Sequence, residues 1–212
     1  MDVGQWIVIG LSVLVGGWYA AGYYFNRRRG EQVHDWLRSG LKQWGRLGAT
    51  RQRGSLAQGA RLEVLQASAP FRRLETAYLL EARENLPLWV FNHLQGKRDE
   101  IIVKARLRSA PQTEFVAAPS GDREIRRFMG GEQNRTYQQV AVLEGFVFLQ
   151  RGQPDQEFLD RLVNFLEHYK DSSPRVVVQS AEPHLVLRAY LPPLLSSPAE
   201  EYFQAVGQLV MV

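Results

Sequence analysis

The chain opens with an apolar stretch that ends abruptly in basic residues. Between Asp2 and Arg27 lie 24 residues without a charge, and two more arginines follow Arg27 directly. A helix that rises about 1.5 Å per residue needs roughly 20 apolar residues to cross the hydrocarbon core of a bilayer, and the segment from Trp6 to Phe25 supplies them. The pattern predicts an N-terminal transmembrane helix within residues 1–26.

The charges that flank this stretch help to separate a membrane anchor from a cleaved secretory signal. A secretory signal has a basic start, a shorter apolar core and a cleavage site with small residues. Here acidic Asp2 precedes the stretch and the arginines follow it. By the positive-inside rule we expect a single-pass membrane protein with its N-terminus outside and its C-terminal domain in the cytosol.

Small residues within the stretch recur at every fourth position. Ser12, Gly16 and Ala20 therefore share one face of the predicted helix. Such a face lets a second transmembrane helix approach closely, so we predict an interface with an integral membrane partner there. Glycine is frequent in transmembrane helices in general, so the spacing is also compatible with a face that meets only lipid.

The segment after the arginines combines a helical apolar pattern with basic charge. From Glu31 to Leu47 the apolar residues recur at helical spacing, which predicts an amphipathic helix. Three partners fit this helix: an anionic lipid surface, the folded domain of the chain itself, and a nucleic-acid backbone such as ribosomal RNA. The candidate contact residues for a membrane surface or another polyanion are Arg27, Arg28, Arg29, Trp36, Arg38, Lys42, Trp44, Arg46, Arg51 and Arg53.

The positive charge of the chain is concentrated in this segment. The formal net charge is +4, whereas residues 26–53 hold eight Lys or Arg and two acidic residues, a balance of +6. The remainder of the chain therefore sums to −2. Residues 48–59 are rich in Gly, Ser, Gln and Arg and show no periodicity. We therefore predict a basic juxtamembrane segment with a linker over residues 27–59.

Residues 60–212 predict a cytosolic domain in which strands and helices alternate. Its clearest strand runs from Glu100 to Arg108, because apolar and polar residues alternate there, and the segment from Thr113 to Ala117 is expected to be its hairpin partner. Asn85 predicts the start of a helix that runs to about Gln95. We expect the inward-facing residues of this helix to be Leu88, Val90, Phe91 and Leu94.

Two parts of this domain share the order strand, helix, strand, strand, helix. They cover residues 72–131 and 137–210, and the second contains a strongly amphipathic helix from Pro154 to Tyr169. The order indicates an α+β fold of mostly antiparallel sheet with helices on one face, built from two βαββα repeats. Because the two parts share little sequence identity, a coincidental recurrence of a common order of elements fits the same pattern.

Composition and motifs predict a non-enzymatic protein without a cofactor or metal. The chain has no cysteine, which excludes disulfides, zinc-thiolate sites and thiol nucleophiles. None of the four histidines has a second ligand at a metal-binding spacing, and no phosphate-binding or dinucleotide-binding motif occurs. Glu81, Arg83 and Glu84 indicate a charged turn, and a catalytic role would require them to line a polar cavity.

Five stretches after the predicted span carry a family resemblance. They are EQVHDWLRSGL (Glu31 to Leu41), LPLWVFNHL (Leu86 to Leu94), DEIIVKARL (Asp99 to Leu107), FLDRLVNFLEHYKDSSPRVVV (Phe158 to Val178) and LVLRAYLPP (Leu185 to Pro193). In pattern and order, and in a span that ends in Asn26 and basic residues, the chain resembles the calumin-like proteins. These are the coiled-coil-containing partners of Asterix in the PAT complex of the multipass translocon.

The resemblance implies a helper in membrane-protein insertion that works beside an Oxa1-type insertase, an Asterix-like subunit or the translocon. The family carries a long acidic lumenal segment, whereas only Met1 to Gln5 precede the span here, so a calcium-buffering role is not expected. The family also extends into a basic C-terminal coiled coil that approaches the ribosome, whereas this sequence stops at Val212. Ribosome contact is therefore expected only through the basic residues 27–53.

Three classes of function fit the sequence. The leading one is a membrane-anchored scaffold or chaperone subunit that assists the insertion or assembly of multispanning membrane proteins. The second is an accessory or tethering subunit of a larger energy-conversion or transport complex. The third is a membrane-bound enzyme. The predicted partners are an integral membrane protein and anionic lipid, with ribosome contact as a further expectation and no DNA.

Overall fold

The computed structural model of the chain describes residues 2–52, 55–131, 136–140, 143–153 and 155–211. In these residues one long helix, α1 (Val3–Lys42), precedes an antiparallel sheet that carries further helices. The α+β class predicted from the sequence is confirmed, with a single long apolar helix at the N-terminus.

Helix α1 unites the predicted transmembrane segment and most of the predicted amphipathic segment in one run of 40 residues. Its N-terminal part is exposed, and its most apolar 18 residues reach a mean hydropathy of 1.5, which makes the helix a candidate membrane span. Its C-terminal part is buried against the domain at Val33, Leu37 and Leu41. The candidate span therefore continues into the hydrophobic core without a break in the helix.

Ten strands form one sheet in the described part of the chain. The strands are β1 (Arg46–Leu47), β2 (Arg51–Gln52), β3 (Gly59–Leu65), β4 (Phe71–Leu79), β5 (Glu100–Leu107), β6 (Glu114–Pro119), β7 (Gln138–Val140), β8 (Phe146–Arg151), β9 (Arg175–Val178) and β10 (Leu185–Tyr190). The remaining helices are α2 (Leu86–Leu94), α3 (Arg123–Met129), α4 (Gln156–His168), α5 (Leu191–Leu194) and α6 (Ala199–Leu209), with a 3-10 turn at Lys170–Ser172.

The strand order mixes early and late parts of the chain. It is β1-β3-β4-β5-β10-β9-β6-β8-β7, with β2 also paired to β3, and the pairs within the described residues are antiparallel. At the centre, β5 and β10 place Ile101 opposite Ala189 and Ala105 opposite Leu185. The two halves of the domain therefore share one sheet and one core.

The main hydrophobic core lies on one face of this sheet. Alternate residues of the central strands point into it, among them Ile101 and Leu187. Helices α4 and α6 and the C-terminal part of α1 cover this face through residues such as Leu37, Leu162 and Phe203. The C-terminal part of α1 is therefore a core helix of the domain.

Strand β6 differs most from the sequence prediction. It pairs with β8 and β9, whereas β5 pairs with β4 and β10, so the predicted hairpin between Glu100–Arg108 and Thr113–Ala117 is wrong. The physical reason is that β6 is buried on both faces. Phe115 and Ala117 face the main core, while Val116 and Ala118 pack beneath Ile125 of α3. Helix α3 thus lies on the face that was predicted to carry no helix.

The order strand, helix, strand, strand, helix occurs twice in the observed elements, first from β4 to α3 and then from β8 to α6. The pairing differs between the two parts. Strands β9 and β10 are neighbours, whereas β5 and β6 are separated by β10 and β9. The internal repeat of two βαββα units therefore stays a prediction.

Much of the segment predicted as a linker belongs to the folded domain. Gly48 donates a backbone hydrogen bond of 2.8 Å to Glu63, and the strand that begins at Arg51 pairs with β3. Further on, Ala57 is buried. These contacts leave little free chain between α1 and the sheet in the described residues.

Candidate membrane-proximal site

The domain meets α1 within the aromatic part of the apolar stretch. The indole Nε1 of Trp18 donates a hydrogen bond of 2.8 Å to the carbonyl oxygen of Arg83, and its ring lies 5.7 Å from the ring of Trp89 in α2. One turn further along, Gly22 permits a close backbone approach, because a Cβ there would lie 2.5 Å from the same carbonyl oxygen. The turn before α2, and α2 itself, therefore lie beside α1 at this level.

Four polar residues join α1 to the domain one turn beyond Gly22. Asn26 is fully buried; its Nδ2 donates to the carbonyl oxygen of Glu81 at 2.7 Å, and its Oδ1 accepts from Nη1 of Arg83 at 3.0 Å. The guanidinium of Arg83 also donates to both carboxylate oxygens of Asp99, at 2.9 and 3.0 Å. Asp99 accepts a further hydrogen bond of 2.9 Å from the backbone N–H of Glu81. We call Asn26, Glu81, Arg83 and Asp99 the junction cluster.

The charged groups of the junction cluster have oppositely charged neighbours. Nε of Arg29 lies 4.0 Å from Asp99, and Nη2 of Arg83 lies 3.9 Å from the Glu81 carboxylate. The Arg83 guanidinium also lies over the ring of Phe25, 5.2 Å from its centroid. Buried polar groups cost free energy unless they are paired, so each member of the cluster depends on the others. The cluster therefore fixes the position of the domain on α1.

A second close contact follows at Gly30. A Cβ on Gly30 would collide with the carbonyl oxygen of Leu56, and the hydroxyl of Tyr78 lies 3.2 Å from the carbonyl oxygens of both residues. Burial raises the pKa of Tyr78 well above its ordinary value, so the hydroxyl keeps its proton and donates. This contact brings α1, strand β4 and the loop before β3 together.

Helix α2 is apolar, yet none of its residues is buried. Leu94 is 82% exposed and Phe91 59%, and Leu88 and Val90 are also exposed. The prediction that these four residues face inward is therefore wrong. The reason is that α2 packs beside α1 through Trp89 and does not lie on the sheet. We call Leu88, Val90, Phe91 and Leu94 the α2 apolar surface.

The apolar side of the C-terminal part of α1 packs on the domain. Trp36 donates its Nε1 hydrogen bond to the carbonyl oxygen of Ser197 at 2.9 Å, and its ring lies 5.7 Å from that of Tyr202. Trp44 is buried with its ring edge-on to Phe71, at a centroid distance of 4.9 Å. Of the three partners predicted for the amphipathic segment, its apolar side contacts the folded domain of the chain itself. The assignment of Trp36 and Trp44 to a membrane surface is therefore wrong.

The basic residues predicted to contact a polyanion fall into two groups. Arg27, Arg28 and Arg29 lie directly after the apolar stretch, where Arg27 pairs with Glu31 at 3.2 Å and Arg28 is exposed. This first group is the one at the height of lipid headgroups if α1 crosses a bilayer. Arg29 is partly withdrawn toward Asp99.

Arg38, Lys42 and Arg46 form the second group and are exposed. Lys42 lies 16 residues beyond Asn26, a helix length of about 24 Å. Electrostatic interactions are screened over about 8 Å at physiological ionic strength, so this group lies far from the headgroups of an upright span. The side chain of Arg51 and the whole of Arg53 lie outside the part that the structure describes.

Ser12, Gly16 and Ala20 lie on the exposed surface of α1. The hydroxyl of Ser12 donates to the carbonyl oxygen of Val8 within the helix at 2.8 Å. Apart from the adjacent turns of α1 itself, no atom lies within 4 Å of the position that a Cβ of Gly16 would take. At 3.6 residues per turn, this face lies about 120° around the helix from the side that contacts the domain. The domain therefore leaves the small-residue face uncovered.

Two members of the junction cluster, Asn26 and Asp99, were not recognised from the sequence. A signal for Asn26 exists, since an amide at the end of a long apolar run needs partners if it is buried. Glu81, Arg83 and Glu84 were predicted to form a charged turn. In the structure Glu81 and Arg83 pair with Asn26 and Asp99, and Glu84 accepts a hydrogen bond of 3.0 Å from Nδ2 of Asn26. This pairing attaches α1 to the domain.

The fold and the junction define an α+β domain attached to one candidate membrane helix through a buried polar cluster. In the described ranges, no group of three or more His, Cys, Asp or Glu is placed to hold a metal ion. Neither models of known protein families nor curated protein sequences match the chain. The features of the described residues that bear on function are the geometry of the junction, the α2 apolar surface and the small-residue face of α1.

Proposed function

We propose that the chain is a single-pass, non-enzymatic scaffold or chaperone subunit that assists the insertion or assembly of multispanning membrane proteins. The observation that carries this proposal is the continuity of α1, which runs from the candidate span into the core and is bound there by the junction cluster. The resemblance to calumin-like proteins supports the same function.

A direct connection between span and domain suits a scaffold better than a tether. A domain on a flexible linker explores a wide volume, with a reach that grows with linker length. Here the helix that leaves the candidate span is itself a core element, since Val33, Leu37 and Leu41 are fully buried. A partner bound to the span is therefore held at a defined position relative to the domain.

The partner in this proposal is an integral membrane protein, namely an Oxa1-type insertase, an Asterix-like subunit or a translocon component. It binds the face of Ser12, Gly16 and Ala20, where small side chains permit close helix packing. This face is exposed and lies away from the domain contact. Its exposure supports the proposal because a partner helix can reach it without displacing the domain.

The orientation in this proposal places the domain in the cytosol. The arginines at 27–29 follow the apolar stretch, and basic residues near a span are retained on the cytosolic side. Arg27 and Arg28 then face anionic headgroups. Arg38, Lys42 and Arg46 are exposed farther from the membrane, where a ribosomal RNA backbone is a suitable polyanion.

Site-specific crosslinking in native membranes tests the partner site. A photoreactive residue is placed at Gly16 or Ala20. The matched control is placed at Leu14, which is also exposed and lies about 160° around the helix from Gly16. We expect adducts with an integral membrane protein of the insertion machinery from positions 16 and 20 and not from position 14. Identical adducts from all three positions, or no adducts from any of them, would contradict a partner site at Ser12, Gly16 and Ala20.

Purification of the full chain in mild detergent tests the functional class. We expect an insertase or translocon component to co-purify in a fixed ratio. A stoichiometric energy-conversion or transport complex in the eluate would instead assign the chain to the accessory subunits of such a complex.

A further inference from the structure

Helix α2 is an apolar helix without a protein core to cover it. Seven of its nine residues, LPLWVFNHL, are apolar, and none is buried. A helix that is apolar around most of its circumference belongs in a protein core or in lipid, because large exposed apolar patches are rare on soluble surfaces. The burial pattern excludes the core of this domain as its environment.

The length of α1 that is free of the domain indicates where α2 lies. The hydrogen bond and ring contact of α1 with the domain begin at Trp18. The preceding helical residues 3–17 span about 22 Å, whereas the hydrocarbon core of a bilayer is about 30 Å thick. If α1 crosses the bilayer, the missing length comes from the part that begins at Trp18. The elements beside that part, which include α2, then lie at membrane depth.

The residues around this level have the composition of a membrane interface. Tyr19, Tyr23 and Tyr24 are exposed on α1 beside the contact between Trp18 and Trp89. Tryptophan and tyrosine are enriched where the hydrocarbon core meets the headgroups. Helix α2 therefore lies next to the aromatic end of the candidate span, which it contacts through Trp89.

Two basic residues lie shortly after the end of α2, beyond Gln95 and Gly96. Lys97 and Arg98 are exposed, and Arg98 donates a hydrogen bond of 3.0 Å to the carbonyl oxygen of His93 near the end of the helix. Cations at this position complement anionic lipid headgroups. The helix therefore has an apolar surface for acyl chains and a basic end for the headgroup layer.

We infer that α2 is a second membrane-embedded element, an interfacial helix whose apolar surface contacts the acyl chains of the leaflet on the side of the domain. Interfacial helices of this kind sink about 5–10 Å into the boundary between headgroups and chains. The inference depends on α1 crossing the membrane and does not depend on the scaffold function.

Fluorescence quenching in vesicles tests this inference, and the absence of cysteine from the chain permits single labels. The full chain is reconstituted in vesicles of phosphatidylcholine and phosphatidylglycerol, with an environment-sensitive fluorophore on Leu94→Cys, Val13→Cys or Ser109→Cys. Val13 marks the candidate span. Ser109 is the aqueous control because it is exposed and follows β5 at the end away from α2. Strand β5 starts near α2 at Glu100, and its eight residues extend over about 23 Å.

We expect the label at position 94 to emit at shorter wavelength than the label at position 109, to be quenched by lipids with a spin label near the headgroup, and to resist aqueous iodide. The inference is overturned if position 94 is as accessible to iodide as position 109 while position 13 is quenched only by lipid. The vesicles contain no other protein, so iodide access to position 94 would mean that the α2 apolar surface faces water. The surface would then be available to a protein partner. Crosslinking from position 16 tests the scaffold proposal separately. A failure of that proposal can therefore be distinguished from a failure of the inference about α2.

Discussion

Arg83 and Asp99 form a bidentate ion pair beside α1, with Nη–Oδ distances of 2.9 and 3.0 Å. Asp99 is buried immediately before β5, and Arg83 lies in the turn that precedes α2. The same guanidinium donates to Asn26 of α1 at 3.0 Å. One pair of charges therefore connects the sheet, the turn before α2 and the end of the candidate span.

Asp99→Asn is expected to destabilise the attachment of the domain to α1. The substitution keeps the shape of the side chain and removes the charge that pairs with Arg83. Loss of one partner of a fully buried pair costs about 3–5 kcal/mol, and we expect about 2 kcal/mol here because the Arg83 side chain is partly exposed. Thermal unfolding of the full chain in detergent measures this as a lower Tm.

Glu31→Gln is the matched control for this prediction. Glu31 pairs with Arg27 on the exposed side of α1 at 3.2 Å. An exposed pair of this kind contributes at most about 1 kcal/mol, so the Tm is expected to change little. Equal losses of Tm for Asp99→Asn and Glu31→Gln would show that burial of the Arg83–Asp99 pair is unimportant.

Gly30→Ala is expected to separate α1 from the loop before β3. Its Cβ would collide with the carbonyl oxygen of Leu56, and overpacking of a close contact costs about 1–3 kcal/mol. Gly16→Ala makes the same chemical change in the same helix, at a position where the new Cβ meets no atom within 4 Å outside the adjacent turns of α1. A lower Tm for Gly30→Ala alone supports the close contact, whereas equal Tm values would contradict it.

Local patterns predicted much of this fold. The uncharged stretch after Asp2 predicted the N-terminal part of α1, and the amphipathic pattern near Phe158 predicted α4, which the structure places at Gln156–His168. The partner of β6 could not be predicted in this way. Alternation of apolar residues identifies a strand, whereas pairing with β8 and β9 depends on contacts between distant parts of the chain.

Less of the candidate site than of the fold could be predicted from the sequence. Periodicity shows that a helix has apolar residues but does not show whether protein or lipid covers them, and for this reason Phe91 and Leu94 were assigned to the core. The opposite error occurred at Trp36 and Trp44, which were assigned to a membrane surface and pack on Tyr202 and Phe71. Both errors concern the environment of an apolar face, which only the tertiary packing determines.

Leu37→Ala is expected to destabilise the domain strongly, and Leu94→Ala is expected to leave its stability almost unchanged. Leu37 is fully buried, so its truncation should cost about 2–5 kcal/mol. Leu94 is 82% exposed, so its truncation should leave the Tm of the detergent-solubilised chain almost unchanged. A large loss of Tm for Leu94→Ala would mean that α2 has a buried role in the fold.

Glu114 at the start of β6 is a buried carboxylate with partners on several elements. The hydroxyls of Tyr137 and Ser180 each donate to it at 2.7 Å, and Arg151 forms an ion pair with it. Burial opposes ionisation of Glu114, but these hydrogen bonds and the charge of Arg151 outweigh burial and lower its pKa below the ordinary value of 4.5. The ionised carboxylate therefore stabilises the fold.

The stability of the domain should consequently fall in acid, and Glu114→Gln should weaken this dependence. A carboxyl group with a lowered pKa stabilises the folded state above its unfolded pKa, and that contribution is lost as the pH falls through the folded pKa. At about pH 7 we expect Glu114→Gln to cost about 1–3 kcal/mol, because Tyr137, Ser180 and Arg151 lose a charged partner. Urea titrations in detergent should show the variant and wild type converging below pH 4.5. The exposed Glu144→Gln control should keep the wild-type profile, and parallel profiles for Glu114→Gln and wild type would contradict the assigned role of the carboxylate.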